Sequence, residues 1–329
     1  MNVLDKVLKK MPLTDKNKIY SNAGPKRWRG WITIFMGIWK KLNHFATVAF
    51  LIFRSISSKP LPIFAIPLIT VLLSVQILLP AQPVELPFKA GEKLYYQVAY
   101  NWHFVWVEAG KAEFLVDSLK YGERGAYQFK SAGRTLTSYD WFFKVRDYFE
   151  SVADAETLMP YWFTRNTSEG GYKAYEKYNF DYPNKQIITQ IENSNKPFTK
   201  SIVPLGDGVM DVQTAVYYAR SLDFSQMEPG DKITFHLMID GRVYEIFGRY
   251  LGMEHVENYD GSKYRCHKFS VLLVEGTIFS GGEDLFVWVT DDRNKIPILV
   301  EAKILVGSVK AYFVKAENLK FPMETTVGK

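Results

Sequence analysis

The sequence predicts a mainly β protein: an antiparallel, hairpin-rich curved sheet or open barrel with one principal helix, preceded by a membrane-inserting helix. Three observations predict it. Past Pro83, short runs alternate aromatic or β-branched residues with polar ones. Gly, Asn, Asp and Pro separate these runs at intervals of about 10 to 13 residues, the rhythm of a meander of hairpins. Upstream, residues 60–84 contain no charged side chain at all.

The chain opens with a basic leader. Residues 1–60 hold 12 Lys or Arg against Asp5 and Asp15, a net of +10. This leaves 29 basic and 33 acidic residues over 85–329, a net of −4. The sequence pI of about 9.0 therefore belongs to the leader. The folded part loses its compositional support for nucleic-acid binding. Trp28, Trp31 and Trp39, interleaved with Lys and Arg, suit a helix lying in a membrane interface; an early start, with Met36 as the true one, explains the same residues.

Leu61–Ala81 reads as the membrane-inserting element. Its central residues 63–79 include only Thr70, Ser74 and Gln76 as polar side chains. A helix crosses the hydrocarbon layer with about 20 apolar residues, and such a helix tolerates Pro67. Lys40, Lys41, Arg54 and Lys59 precede the segment, and Glu85 is the first charge after it. The positive side stays in the cytoplasm, so residues 85–329 are expected outside it. Ala81 suits a cleavage site, but Leu79 stands where a small residue is wanted. An inner-membrane anchor with a periplasmic domain and a cleaved signal releasing a soluble periplasmic protein both remain open.

Strands are expected at Lys93–Asn101, Ala126–Arg134, Asp147–Ala153, Tyr172–Phe180, Gln186–Glu192, Lys232–Ile239, Arg242–Leu251, Tyr264–Leu273, Leu285–Thr290, Ile298–Val306 and Lys310–Glu317. Tyr182-Pro-Asn-Lys185, Asp240-Gly241, Asp260-Gly261 and Val306-Gly-Ser308 supply turns. The helix is Asp211–Leu222, with Asp211 as cap and Val212, Ala215, Val216 and Ala219 on one face. A short helical turn is expected at Tyr139–Lys144. One curved sheet and two lobes joined near Pro204–Asp211 fit equally.

The sequence offers little catalytic pattern. Cys266 is the only cysteine, which excludes an intrachain disulfide and any cysteine-based zinc or iron–sulfur site. No cofactor or metal site is expected. His103, His236, His255 and His267 form no paired ligand motif on a helix. Ser280-Gly-Gly-Glu-Asp284 lacks the Lys-Ser/Thr ending of a phosphate loop and reads as a connection between strands. Asp291-Asp292 could hold a hard cation or share a proton, but reads better as a turn whose carboxylates accept local backbone N–H groups. Six residues stand out for inspection: Asp211, Arg220, His236, His267, Asp291 and Asp292. Tyr95, Tyr96, Tyr100, Trp102, Trp106, Trp141, Phe142, Phe143, Tyr148, Phe149, Tyr161, Trp162 and Phe163 crowd one part of the domain, as core or as the wall of an apolar cavity.

Phe88-Lys-Ala-Gly-Glu-Lys-Leu-Tyr-Tyr96, Asp211-Val-Gln-Thr-Ala-Val-Tyr-Tyr-Ala-Arg220, Pro229-Gly-Asp231 with Asp240-Gly241, Val287-Trp-Val-Thr-Asp-Asp-Arg-Asn-Lys-Ile-Pro297 and Glu301-Ala-Lys-Ile-Leu-Val-Gly-Ser-Val-Lys-Ala311 occur in that order. Together they resemble the bacterial envelope family catalogued as domain of unknown function 3108, over about residues 85–320. The resemblance implies a bacterial exported protein and carries over no catalytic residue.

The leading expectation is a non-enzymatic envelope protein that binds an apolar, lipid-like or lipoprotein ligand in its curved sheet. An interaction or scaffold module is the alternative. A hydrolase would require two or more of Asp211, His236, His267, Asp291 and Asp292 to meet in one cleft. The oligomeric state is not readable.

Overall fold

The computed structural model describes residues 85–102, 105–141, 143–273, 282–303 and 307–328. The basic leader, the Leu61–Ala81 segment, His103 and Phe142 lie outside them. Among the described residues no helix is long and apolar enough to cross a membrane.

Sixteen strands form one sheet: β1 (Lys93–Trp102), β2 (Val105–Tyr121), β3 (Arg124–Thr135), β4 (Val145–Asp154), β5 (Pro160–Glu169), β6 (Tyr172–Asp181), β7 (Gln186–Asn193), β8 (Lys196–Pro204), β9 (Val209–Asp211), β10 (Lys232–Ile239), β11 (Arg242–Glu257), β12 (Lys263–Leu273), β13 (Gly282–Thr290), β14 (Pro297–Lys303), β15 (Ser308–Glu317) and β16 (Thr326–Gly328). The helix α1 spans Val212–Ser221. The hairpin reading holds. All eleven expected strands have a counterpart, and Lys232–Ile239 has the expected bounds; residues 304–306 of the expected Ile298–Val306 lie outside the described residues.

The strand order is β8-β7-β6-β5-β4-β3-β2-β1-β15-β14-β13-β12-β11-β10-β9, with β16 beside β12. Two meanders thus join where β1 pairs antiparallel with β15. Among the described residues the one parallel pair is β9 with β10, which flank α1 in the chain. The two-lobe alternative is replaced by one sheet. Its two end strands, β8 and β9, are consecutive in the chain and joined only by residues 205–208. So short a linker spans less than about 20 Å, which forces the sheet to curl until its ends approach.

α1 sits on the inside of that curl. Its Tyr217 stacks on Phe129 of β3 at 3.9 Å between ring centroids, while Tyr218 meets Phe235 of β10 edge-on at 6.4 Å. One helix therefore touches both arms. The expected burial face is corrected. Gln213, Thr214, Ala215, Tyr217 and Arg220 are buried, whereas Val216 is 41% exposed. Polar residues go inward because each has a partner there: the Ser131 hydroxyl donates to Gln213 Oε1 at 2.9 Å, and Arg220 meets Glu92.

The expected helical turn at Tyr139–Lys144 is instead a single 3₁₀ turn at Thr137–Tyr139. Five strands escaped the periodicity. β8 is exposed along nearly its whole length, so neither face carries an apolar signal. β9 and β16 are too short for alternation to register. β2 and β5 carry polar residues within their runs and still pair fully. Of the connection read at Ser280–Asp284, residues 282–284 belong to β13, and Ser280 and Gly281 lie outside the described residues.

Candidate functional site

The structure brings four of the six singled-out residues, Arg220, His267, Asp291 and Asp292, to one cleft and leaves Asp211 and His236 apart from it. Asp211 is fully buried and caps α1: its Oδ1 accepts the Thr214 N–H at 2.8 Å, and its Oδ2 accepts the hydroxyls of Thr214 (2.8 Å) and Ser151 (2.9 Å). Burial raises its carboxyl to about 6 despite these donors. His236 lies on β10 with its side chain 46% exposed, 3.7 Å from Glu245. Neither residue lines the cleft that the other four share.

That cleft, of about 420 Å³, is bordered by Arg220, His267, Asp291 and Asp292 together with Glu85, Asp223, Phe224, Arg293, Lys295 and Phe321. His267 comes from β12, and Asp291 and Asp292 from the turn that ends β13. The turn reading holds for Asp292, whereas the Asp291 carboxylate meets the side chains of His267 and Arg265 instead of local backbone N–H groups. Asp292 Oδ1 accepts the N–H groups of Asn294 (3.0 Å) and Lys295 (3.2 Å) and the Thr290 hydroxyl (2.8 Å).

His267 is the centre of a relay. Its Nε2 lies 3.0 Å from Asp291 Oδ1, and its Nδ1 3.1 Å from the Tyr250 hydroxyl. Arg265 Nε donates to the other Asp291 oxygen at 2.7 Å. Burial lowers the His267 pKa, against the pull of Asp291. A neutral ring satisfies both neighbours only with Nε2 protonated, so that Tyr250 donates to Nδ1. Both nitrogens are then occupied. Cys266, next in the chain, points to the opposite face of β12, where burial pushes its thiol up to about 12. Arg220 is also committed, through a bidentate pair with Glu92 at 2.6 and 3.1 Å. Among the described residues no group of three or more His, Cys, Asp or Glu side chains is arranged to hold a metal ion.

A second feature lies on the inner face of the sheet. Directly opposed residues of antiparallel strands share a face. One row of opposed residues runs Val107, Tyr100, Val309, Ala302, Leu285, Val271, Gly248, Ile233 across β2, β1, β15, β14, β13, β12, β11 and β10. The adjacent row on this face runs Gly110, Val98, Ala311, Val300, Val287, Phe269, Tyr250. Neither row contains a charged side chain. The intervening row faces the other way and reads Glu108, Ala99, Lys310, Glu301, Phe286, Ser270, Arg249, Lys232.

Part of the apolar face is covered. Leu222, Phe224 and Met227, between α1 and β10, pack on Tyr250, Phe269, Val287 and Ile233. Val98, Tyr100, Val107, Val300, Ala302 and Val309, toward β1, β2, β14 and β15, remain partly exposed.

A family model described as protein of unknown function (DUF3108) matches residues 95–314, more than half of the 329-residue chain. The chain belongs to the DUF3108 family. No curated protein matches it. A solved structure similar to this DUF3108 chain is the β-barrel-like protein of domain of unknown function DUF1849 from Brucella abortus, at 8% identity and a TM-score of 0.45, covering 72% of this chain and 100% of that one.

The aromatic run of this DUF3108 domain does not line one cavity. Tyr96 and Phe163 are core residues, whereas Trp106 is 39%, Tyr148 56% and Trp141 83% exposed. The apolar inner face is built mainly from Val, Ala and Gly, with Tyr100 as the shared member. These small residues were not singled out by composition; the signal was their register, which appears only once the strands are paired. Tyr250, Asp223 and Lys295 were missed for a related reason, since no short motif links them to His267.

Proposed function

We propose that this DUF3108 domain is a non-enzymatic protein of the cell envelope that binds an acyl-chain-like ligand on the inner face of its curled sheet. Residues 61–81 carry it to the envelope, as an inner-membrane anchor or a cleaved signal. The observation that supports the reading is the pair of adjacent, uncharged rows across seven and eight strands, left partly open at β1, β2, β14 and β15. Contiguous apolar surface on a folded domain marks a place where something binds. Small side chains such as Val98, Val300, Ala302 and Val309 leave room for a linear chain lying across the strands, whereas large ones would fill it. The ion pairs lie on the other face, where Lys310 meets Glu301 at 3.4 Å.

Two alternatives have weaker support. His267, Asp291 and Asp292 do meet in one cleft, as a hydrolase requires, but both nitrogens of the His267 ring are occupied, the hydroxyl on Nδ1 belongs to the buried Tyr250, and no Ser, Thr or Cys side chain bonds to either nitrogen among the described residues. The sheet edge at β8 exposes Phe198 and Ile202, but Lys196, Pro197, Lys200 and Pro204 discourage another strand from pairing there.

The test is native mass spectrometry and lipid extraction on full-length protein purified from its own membrane. A stoichiometric acyl species, lost on substitution within the apolar rows, is the expected result. Protein that carries no such species, and takes up none from vesicles of its own membrane lipids, would overturn the reading. N-terminal sequencing of the same sample decides between anchor and cleaved signal.

A further inference from the structure

The two arms of the sheet, β5–β8 and β9–β11, meet at a seam. Their end strands β8 and β9 are the two ends of the strand order, and the contacts across the seam come from side chains and one turn. Tyr178, Ile187 and Ile191 pack against Val209, Met238 and Val243. At the rim the Asp240-Gly241 turn reaches from β10–β11 to the opposite arm. Its Gly241 N–H donates to the Tyr178 hydroxyl at 3.3 Å, and a Cβ on Gly241 would stand 2.8 Å from Ile191 Cδ1.

The polar part of this joint is unbalanced. Arg165 of β5 meets Glu176 of β6 at 2.7 Å and, across the seam, Asp240 at 3.2 Å. Glu176 is 3% exposed and also accepts a hydrogen bond from Tyr178. Asp147 of β4, which accepts the Ser168 N–H at 3.2 Å, and Glu169 at the end of β5 lie near each other and the same guanidinium, and Tyr172 borders the group. Four carboxyls from three strands and one turn therefore surround a single cation. Arg165 Nε is buried without a partner, so the guanidinium has a donor to spare.

We infer that the seam is an acid-closed latch, in which Arg165 holds Asp240 only while the carboxyls on its own arm carry protons. The charge balance gives the mechanism. Two neighbouring carboxyls withdrawn from water resist ionising together, which favours a proton on one of them. With protons on Asp147 and on Glu176, whose Oε2 then donates to the Tyr178 hydroxyl instead of accepting from it, the arm presents little net charge beyond Arg165 and Glu169, and Asp240 is attracted to the guanidinium. With all three ionised, the arm carries two surplus negative charges facing Asp240. Arg165 is then drawn to its own arm, and the turn at Asp240 is repelled.

The titration range agrees with this direction. Burial raises both Asp147 and Glu176 to about 7, with Glu169 adding to the rise at Asp147 and Arg165 opposing both. Carboxyls raised in the closed state favour closure below their unperturbed values and lose that contribution as the pH rises through 7. The latch concerns the seam and does not depend on the ligand proposed for the inner face.

Hydrogen–deuterium exchange of the full chain tests it, with rates corrected for intrinsic exchange. Between about pH 6 and pH 8.5, protection of the peptide spanning Asp240-Gly241 should fall about tenfold, while peptides of β12–β14 hold theirs. In Asp147→Asn/Glu176→Gln the same change should stay under about twofold. Asp240→Asn, which removes the repelled charge, should flatten the profile without touching the buried arm. An equal fall in the wild type and both variants overturns the latch, and so does a fall of the same size in β12–β14. If the double variant does not fold, Asp240→Asn and the wild-type profile still decide the matter.

Discussion

Arg220, in the last turn of α1, and Glu92, just before β1, form a bidentate ion pair in which the side chains are 3% and 0% exposed. Arg220 also donates to the Asn294 carbonyl at 3.0 Å, and its guanidinium lies over the rings of Phe88 and Tyr217. The pair thus ties the helix to the first strand and to the turn after β13.

Removing one partner leaves a buried charge uncompensated. Glu92→Leu or Arg220→Met alone should cost about 3–5 kcal/mol, and the double substitution should recover a large part of it. Urea unfolding of the four proteins measures the difference. A double variant as unstable as the singles would contradict this account.

Asp211 holds the start of α1 to β4. Asp211→Ala removes the cap and strands the Ser151 and Thr214 hydroxyls, at an expected cost of about 2 kcal/mol. Asp211→Asn can still cap, and should cost less than about 1 kcal/mol at pH 7.5. The carboxyl is raised to about 6, so its contribution is full below its unfolded value near 4 and is lost as pH rises through 6. The urea midpoint of the wild type, taken relative to that of Asp211→Asn at the same pH, should fall across that window.

His267 gives the opposite slope. Its pKa is lowered by burial, so its contribution is present above the unfolded value, about 6.5, and is lost as pH falls through the lower folded value. Asp291 opposes the shift, while Lys295 and Arg265 reinforce it. The urea midpoint should drop between pH 7.5 and pH 5, and part of that drop should vanish in His267→Gln. A slope unchanged by the substitution would mean that other groups carry it.

The ligand face can be separated from the core. Val300→Glu places a charge in a partly exposed position of the apolar row and should cost no more than about 1 kcal/mol of stability. It should nonetheless remove a co-purifying acyl species. Lys310→Ala, on the opposite face, should retain it. Equal lipid content in all three proteins would place the ligand elsewhere.

The hairpin pattern was legible because each strand from β10 to β15 has one face toward the interior, so burial wrote a period of two into its sequence. The same logic explains the losses. β8 faces solvent on both sides and left no apolar record. The inner face of α1 was misread because Gln213, Thr214 and Arg220 are buried by pairing with residues far along the chain. At the site, Asp291-Asp292 could be read as a turn from its own neighbours. The relay from Tyr250 through His267 to Asp291 could not, because it joins two strands and the turn after a third.

By itself the sequence determined the hairpin-rich β class, the position of α1 and its cap, and the segregation of basic charge into the leader. These depend on residues within one or two turns of each other, where periodicity and turn chemistry act directly. Only the tertiary structure decided that β1 pairs with β15, that the sheet's ends are drawn together by residues 205–208, and which side chains share the inner face. Register between distant strands is set by the summed packing of many pairs, and no local stretch of sequence records that sum.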